Sequence, residues 1–449
     1  MKTVSIVLFL IVSLFFNGQL FSQVENLSDN TFYTDSSFSK LCNGYFNWKY
    51  ESGQIGEEAN YVNGKIEGEY FLYNEDGKIN YQANYLHGEL NGVAIWYYEN
   101  GEIHFKSNYL KGQLNGESIY FDYSGKLELK ENYSQNLLNG ISTSFYSDGK
   151  IKETSYYSKG LLNGESISYY KNGNKNKVVN YINDEPNGEC ITYFENGQIK
   201  NKTYYINDEP NGQSFWYYEN GQISNITNFV YGKKSGEYFS YYKSGAKECV
   251  GQNLEGLMDG EWKFYSEKGK LESIKSYSKG LQNGIEYNYY PNKKIKAKKS
   301  FINAELQGEC TFFYQNGKVF EKSFYYNNLK KDTVFRYFKN GTIASKENYV
   351  SGIKQGQSIW FYKNGKIFLS LKYVNNLKQG DFFAFYNNGN NLLKGRFSND
   401  ELHNEFSTFH KNGQIAFQAI YKNGIITGKV LELDKKGNTI RENNKCSSN

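Results

Sequence analysis

The chain is 449 residues long, with 52 basic and 47 acidic residues giving a formal charge of +5 and the two signs interspersed along its length. No tail or stripe of one sign is present for a nucleic-acid backbone to follow, so nucleic acid is not an expected partner. With 43 Tyr, 32 Phe and 44 Gly against 3 Pro and 2 Met, the composition favours strands and turns over a helical enzyme.

At the N-terminus, Lys2 precedes an apolar run from Val4 to Phe16, followed by polar and small residues to about Ser22. The run is shorter than the ~20 residues a bilayer span needs. Residues 1–22 therefore read as a secretory signal peptide rather than a retained anchor, and the rest as an exported chain, whether periplasmic, surface-bound or secreted. Residues 23–41 read as an N-terminal extension.

From residue 42 to residue 441 the chain keeps a period of 24 without insertion or deletion. One comb of positions runs through Gly53, Gly77, Gly101, Gly197 and Gly221 to Gly437 and is Gly everywhere except Lys293. A second runs from Gly44 through Gly188 and Gly212 to Gly428, broken only by Asp332 and Asn404. A third, from Gly64 to Gly424, holds Gly, Asn or Asp apart from Ala304. These residue types tolerate a left-handed backbone, so each unit is expected to contain three special backbone positions, with all three combs marking turns.

Side chains keep the same period. Four residues before the first comb, every position from Tyr73 to Phe409 is Tyr or Phe, including Tyr97, Tyr193 and Tyr217. Another aromatic column passes through Tyr61, Tyr181 and Tyr205 and is broken at Asn253. Within one unit, "ECITYFE", "NG", "QIKNKTYYI" and "NDEPNG" follow one another. Two alternating apolar runs separated by turn chemistry read as two antiparallel strands, with "NG" as the hairpin signal and "NDEPNG" as the loop into the next hairpin. The expected fold is all-β: an elongated single sheet of about 17 tandem hairpins, each pairing only with its neighbours, with the aromatic columns as cross-strand ladders.

The stretch "YYENGQISNITNFVYGKKSG", Tyr217 to Gly236, resembles the MORN-repeat variant, which bacterial YwqK-like antitoxins carry. The resemblance implies an array of β-hairpins used for scaffolding, oligomer formation or attachment near membranes. It also raises an antitoxin-like role, although an export signal is out of place on an antitoxin of a cytosolic toxin.

Few residues offer chemistry. His87, His104, His403 and His410 lack metal-ligand spacing, no Ser lies in a nucleophile elbow, and no Lys-Ser or Lys-Thr follows a glycine loop, so no metal, cofactor or catalytic residue is expected. Asp184, Glu185, Asp208 and Glu209 fall in adjacent loops, where Asp supplies turn conformation or, less simply, part of a weak cation site. Cys42, Cys190, Cys249, Cys310 and Cys446 are separated too widely by the period for intrachain bridges. Trp48, Trp96, Trp216 and Trp360 lie five residues before their turn Gly and Trp262 seven before, which places all five on the face opposite the Tyr73 column. That face is the candidate interaction surface, weighed against ordinary packing of a second face.

The resulting expectation is an exported, non-enzymatic repeat scaffold that binds a protein partner or its own copy through an extended sheet surface. The alternatives are an envelope glycan or lipid binder acting through the Trp face, and an antitoxin-like immunity protein. Residues 442–449 read as a C-terminal tail.

Overall fold

The computed structural model describes residues 25–26, 31–32 and 42–444. The expected signal peptide, most of the 23–41 extension and Cys446 lie outside them. The chain divides into two compact units, Met1–Glu209 and Pro210–Asn449. Every regular element among the described residues is a strand.

In the first unit the strands run from Gly44–Lys49 to Ile199–Ile206. After the first, each pairs antiparallel with the strand before and after it, as where Ile191 faces Val178 on one side and Lys202 on the other. The second unit repeats the arrangement from Gly212–Tyr217 to Thr439–Asn444, with Phe239 between Ile226 and Val250. Its last strand runs three residues past Arg441 because Asn444 still pairs with Lys429.

Two kinds of turn alternate, and they divide the glycine combs differently from the sequence expectation. The "NG" of the first comb does not form the tightest hairpin. The Gly197 N–H donates to the Phe194 carbonyl at 2.9 Å and the Phe194 N–H to the Gln198 carbonyl at 2.8 Å, a type I turn closed by Gly197 at φ 86°. Asn196 earns its place by accepting the Gln198 N–H at 2.9 Å.

The two-residue turn is instead Asn183-Asp184, at φ 49° and 69°, with Ile182 and Glu185 directly paired across it. A type I′ turn needs positive φ at both central residues, which Asn and Asp tolerate. "NDEPNG" is therefore not a loop: strand Glu185–Tyr193 begins immediately, and Gly188 sits inside it at φ 102° where the register shifts. Gly212 likewise opens the strand Gly212–Tyr217 rather than forming a turn. Both glycines mark bulges, where one strand accommodates extra residues.

Successive tight turns are laced together. The N–H of the second turn residue donates to a carbonyl 22 residues earlier, as Asp184 to Leu162 at 2.9 Å and Gly256 to Lys234 at 2.7 Å. Where that residue is Asn or Asp and the earlier one has an N–H, the side chain accepts a second bond from it: Asn136 from the Leu114 N–H, Asp184 from Leu162, Asn328 from Leu306 and Asn376 from Lys354, whereas Asp208 faces Pro186. Asp184 is thus a turn clamp, and the cation-site alternative gains no support: no group of three His, Cys, Asp or Glu side chains fit for a metal occurs among the described residues.

Ala304 is the one residue in this comb that is not Gly, Asn or Asp, yet it holds φ 66°. Ala304→Gly is expected to raise stability by ~1 kcal/mol. Urea unfolding should show the midpoint rising at constant slope; an unchanged or lower midpoint would show that the turn carries no strain.

At the other row of turns a tyrosine column staples neighbouring hairpins. The hydroxyls of Tyr50, Tyr98, Tyr146, Tyr170, Tyr218, Tyr242, Tyr290, Tyr314, Tyr362 and Tyr386 each donate to the carbonyl 23 residues later, at 2.7–3.0 Å. His410 fills the same slot, its Nε2 lying 2.9 Å from the Leu433 carbonyl, so that nitrogen carries the proton. Tyr218→Phe is expected to cost about 1 kcal/mol. The check is hydrogen exchange at the hairpin around Gly221, which should open more readily, with Phe338, where the chain already lacks the hydroxyl, as the internal comparison.

Candidate interaction surface

Strand alternation gives each sheet two different faces. One face carries a central column of small residues that pair directly across strands: Ala83 with Ala94, Ala94 with Ser107, Ser107 with Ser118. Ala94, Ser107 and Ser118 have no solvent exposure, although they lie on a single layer. Rings in the flanking columns roof them. Trp96 stacks 4.7 Å from Tyr81 and 4.9 Å from Phe105, and Phe105 lies 4.4 Å from Tyr120. Burial pushes the Tyr109 and Tyr120 hydroxyls up to about 12, so they stay protonated.

This is the face that holds the five tryptophans. Trp48, Trp96, Trp216 and Trp360 occupy one flanking column, and Trp262 sits in the small-residue column itself, 4% exposed. They lie opposite Tyr73, Tyr97, Tyr193 and Tyr217, as the alternation requires. They share their face with the other aromatic column, that of Tyr181 and Tyr205, and pack into it: Trp96 is 6.4 Å from Tyr109 and Trp216 is 6.2 Å from Phe229. No tryptophan is among the exposed large apolar residues.

The same face also carries charged residues in these columns, Glu131, Glu153 and Glu286 among them, and five such residues meet in one cluster. Across strands Val319–Tyr326, Leu329–Tyr337, Ile343–Val350 and Ile353–Phe361, the aromatic, small and aliphatic slots are filled by Glu321, Lys330, Arg336, Glu347 and Lys354. Arg336 bridges the two carboxylates, with its Nε 2.9 Å from Glu321 and its Nη1 bonded to Glu347. Lys330 approaches Glu321 at 3.0 Å and Lys354 approaches Glu347 at 2.7 Å. Burial works to raise the Glu347 carboxyl, but the hydrogen bond from Lys354 and the Arg336 charge outweigh it and hold the group below the usual carboxylate range. With three cations and two anions in mutual contact, the cluster is a closed network of ion pairs.

Among the described residues, cysteines and histidines do not converge on one another. Burial raises the Cys190, Cys249 and Cys310 thiols, which keeps them from acting as thiolates, and all four described cysteines are unpaired. His87 occupies an exposed turn beside Glu67, and His104 stacks 4.3 Å from Tyr98.

The opposite face and its tight-turn margin are where apolar side chains reach solvent. At each two-residue turn the flanking pair points to this face. All seven such turns of the first unit carry a large apolar residue at least 40% exposed: Val62, Leu86, Leu110, Leu137, Leu161, Ile182 and Ile206. In the second unit eight of nine do: Val230, Leu254 with Leu257, Leu281, Ile302, Tyr326 with Leu329, Val350 with Ile353, Leu377 and Ile425. Only the turn between Ser398 and Glu401 lacks one. Inboard of this row, paired charges such as Lys202 with Glu189 and Lys322 with Glu309 cover the sheet.

The tryptophans drew attention in the sequence because they are rare, and the exposed row escaped it because Val, Leu and Ile alternate between two positions three residues apart. Stepping by 24 from either position alone meets Ser134, Ser158 and Ser278, or Lys65, Glu89 and Glu185. Taking the two as one pair across a type I′ turn would have exposed the row.

The MORN repeat variant model matches twelve segments: 66–87, 90–111, 114–135, 138–159, 162–183, 186–207, 210–231, 258–279, 282–303, 306–328, 354–375 and 402–423. Together they cover more than half of the chain. Three intervals left between matched segments, 234–255, 330–351 and 378–399, begin with Lys234, Lys330 and Lys378 where Leu is commonest. No curated protein matches. Among solved structures, the chain is similar to a chain of the TcdB2-TccC3-Cdc42 crystal structure at 11% identity, over 88% of this chain and 27% of that one, with a TM-score of 0.15. It is also similar to one of the Photorhabdus luminescens Tc holotoxin pore at 12% identity, over 87% and 24%, with a TM-score of 0.15. The chain spans about a quarter of the length of these solved chains.

Proposed function

The chain belongs to the MORN repeat variant family, and from that premise we propose that it is an exported, non-enzymatic scaffold that engages a protein partner or its own copy over several repeats. The observation that carries this reading is the exposed apolar row at fifteen of sixteen tight turns. Side chains left in water at the same place in unit after unit form an extended contact surface in which each turn contributes a little, the mode of binding usual for repeat arrays. The raised thiols and separated histidines offer no competing chemistry. Export rests on the Val4–Phe16 run after Lys2.

Crosslinking in the native envelope followed by mass spectrometry tests the reading. Crosslinks from lysines near the row, such as Lys233 and Lys279, to another protein or to a second copy are expected. A chain that stays uncrosslinked while processing a small molecule would sink the proposal.

A further inference from the structure

Resting on the scaffold reading, we propose that the tight-turn row of the second unit is a self-association surface on which a second copy docks, row against row. Backbone hydrogen bonding cannot hold the partner there. The second N–H of every tight turn is already donated to the preceding hairpin, from Gly232 to Pro210 through Gly424 to Leu402, so the row is not a free strand edge. What it offers is side-chain packing, at knobs such as Leu254, Ile302, Tyr326 and Val350, each more than half exposed.

Spacing selects the occupant. One unit of two strands advances about 9.6 Å, so the knobs recur at that interval. An unrelated apolar surface meets one or two of them before falling out of step, whereas a second copy has the same interval by construction. A two-fold arrangement then lets each knob seat between two knobs of the partner, repeating one contact along the row.

The area is sufficient. Fully burying a Leu-sized side chain removes on the order of 100 Å² of apolar surface. The second unit presents ten half-exposed large side chains from Val230 to Leu377, which amounts to about 500 Å² per copy and about 1,000 Å² for the pair. Since apolar atoms supply about 60% of an interface, the whole contact reaches about 1,600 Å², the size of a specific complex.

Sedimentation of the full chain across a concentration series tests this, beside the variant Leu254→Ser/Ile302→Ser/Tyr326→Ser/Val350→Ser. Serine already occupies the equivalent position at Ser134, Ser158, Ser278 and Ser398, so the variant keeps the turns intact, and circular dichroism and melting verify that it folds. The wild type is expected to dimerise, with affinity insensitive to added salt because the contact is apolar. The variant is expected to weaken the dimer by about 100-fold or more. A wild type that stays monomeric, a folded variant that dimerises equally well, or a monomer that instead binds phosphatidylethanolamine–phosphatidylglycerol vesicles through these residues would overturn it. A monomer that still crosslinks to another protein overturns this inference and leaves the scaffold reading standing.

Discussion

Glu347→Ala is expected to cost the second unit about 3 kcal/mol, whereas replacing the whole charged cluster by the residues other repeats use is expected to cost nothing or to stabilise. Glu347 is 2% exposed and takes bonds from Arg336, Lys354 and Ser345. Removing it alone takes from Lys354 its carboxylate partner and leaves Arg336 with Glu321 alone. Both cations keep about 30% exposure, which places the cost at the low end of the usual 3–5 kcal/mol for breaking a buried pair. Glu321→Leu/Lys330→Leu/Arg336→Trp/Glu347→Ala/Lys354→Leu instead restores types standing at Leu369, Leu306, Trp360, Ala419 and Leu402. The cluster would then behave like the apolar slots around it. Urea unfolding of both variants decides: if the fivefold replacement loses as much as the single one, the network stabilises the unit beyond its own desolvation.

The same carboxylate sets a pH dependence. Its folded-state affinity for protons is lowered, so its contribution is complete above the unfolded value of about 4.3 and is lost as pH falls through the lower folded value. Unfolding free energy of the wild type should therefore decline on acidification below about pH 4.5, and more steeply than that of the fivefold variant. Equal slopes would place the acid sensitivity elsewhere.

The period was legible in the sequence because backbone geometry cannot be substituted freely. Positive φ admits Gly, Asn and Asp, so the first and third combs marked turns directly, and Lys293 and Ala304 hold the turn conformation, at φ 65° and 66°, without such a residue. The second comb was ambiguous for the same reason: a bulge glycine and a turn glycine satisfy the same constraint, and only the cross-strand register separates Gly188 from Asp184. The tyrosine staple was hidden differently. Its slot holds Asn74, Asp122, Phe194, Ser266 and Phe338 as well as tyrosine, since each hydroxyl bond adds only about 1 kcal/mol and none is indispensable. Which aromatic column would be roofed and which would face solvent depended on contacts two strands away, which a single unit does not encode.

Size compensation across the small-residue column gives the second large effect. Trp262 occupies a slot that holds Ser118, Ser166, Cys190 or Ser214 in other units, and it fits because its neighbour across the strand is Gly251. A Cβ built on Gly251 would fall 2.1 Å from the Trp262 ring, so even alanine must displace the indole. The ring is also held by its Nε1, which donates to the Gln252 carbonyl at 3.1 Å, and by Tyr238 at 5.4 Å. Gly251→Ala is therefore expected to cost about 3 kcal/mol through overpacking, and Trp262→Ser about 4 kcal/mol through the cavity it leaves. The double replacement Gly251→Thr/Trp262→Ser puts into these slots the residues that fill them at Thr227, one unit earlier, and Ser214, two units earlier, which pair with each other across strands. It should recover most of that loss, because the two sites share one volume and their effects do not add. Unfolding midpoints of the two single variants, of Gly251→Thr and of the double variant close the cycle. A double variant as unstable as the sum of Gly251→Thr and Trp262→Ser would mean that the column tolerates each size change independently, and that the pairing of the largest side chain with a glycine is not what lets this unit stay in step with its neighbours.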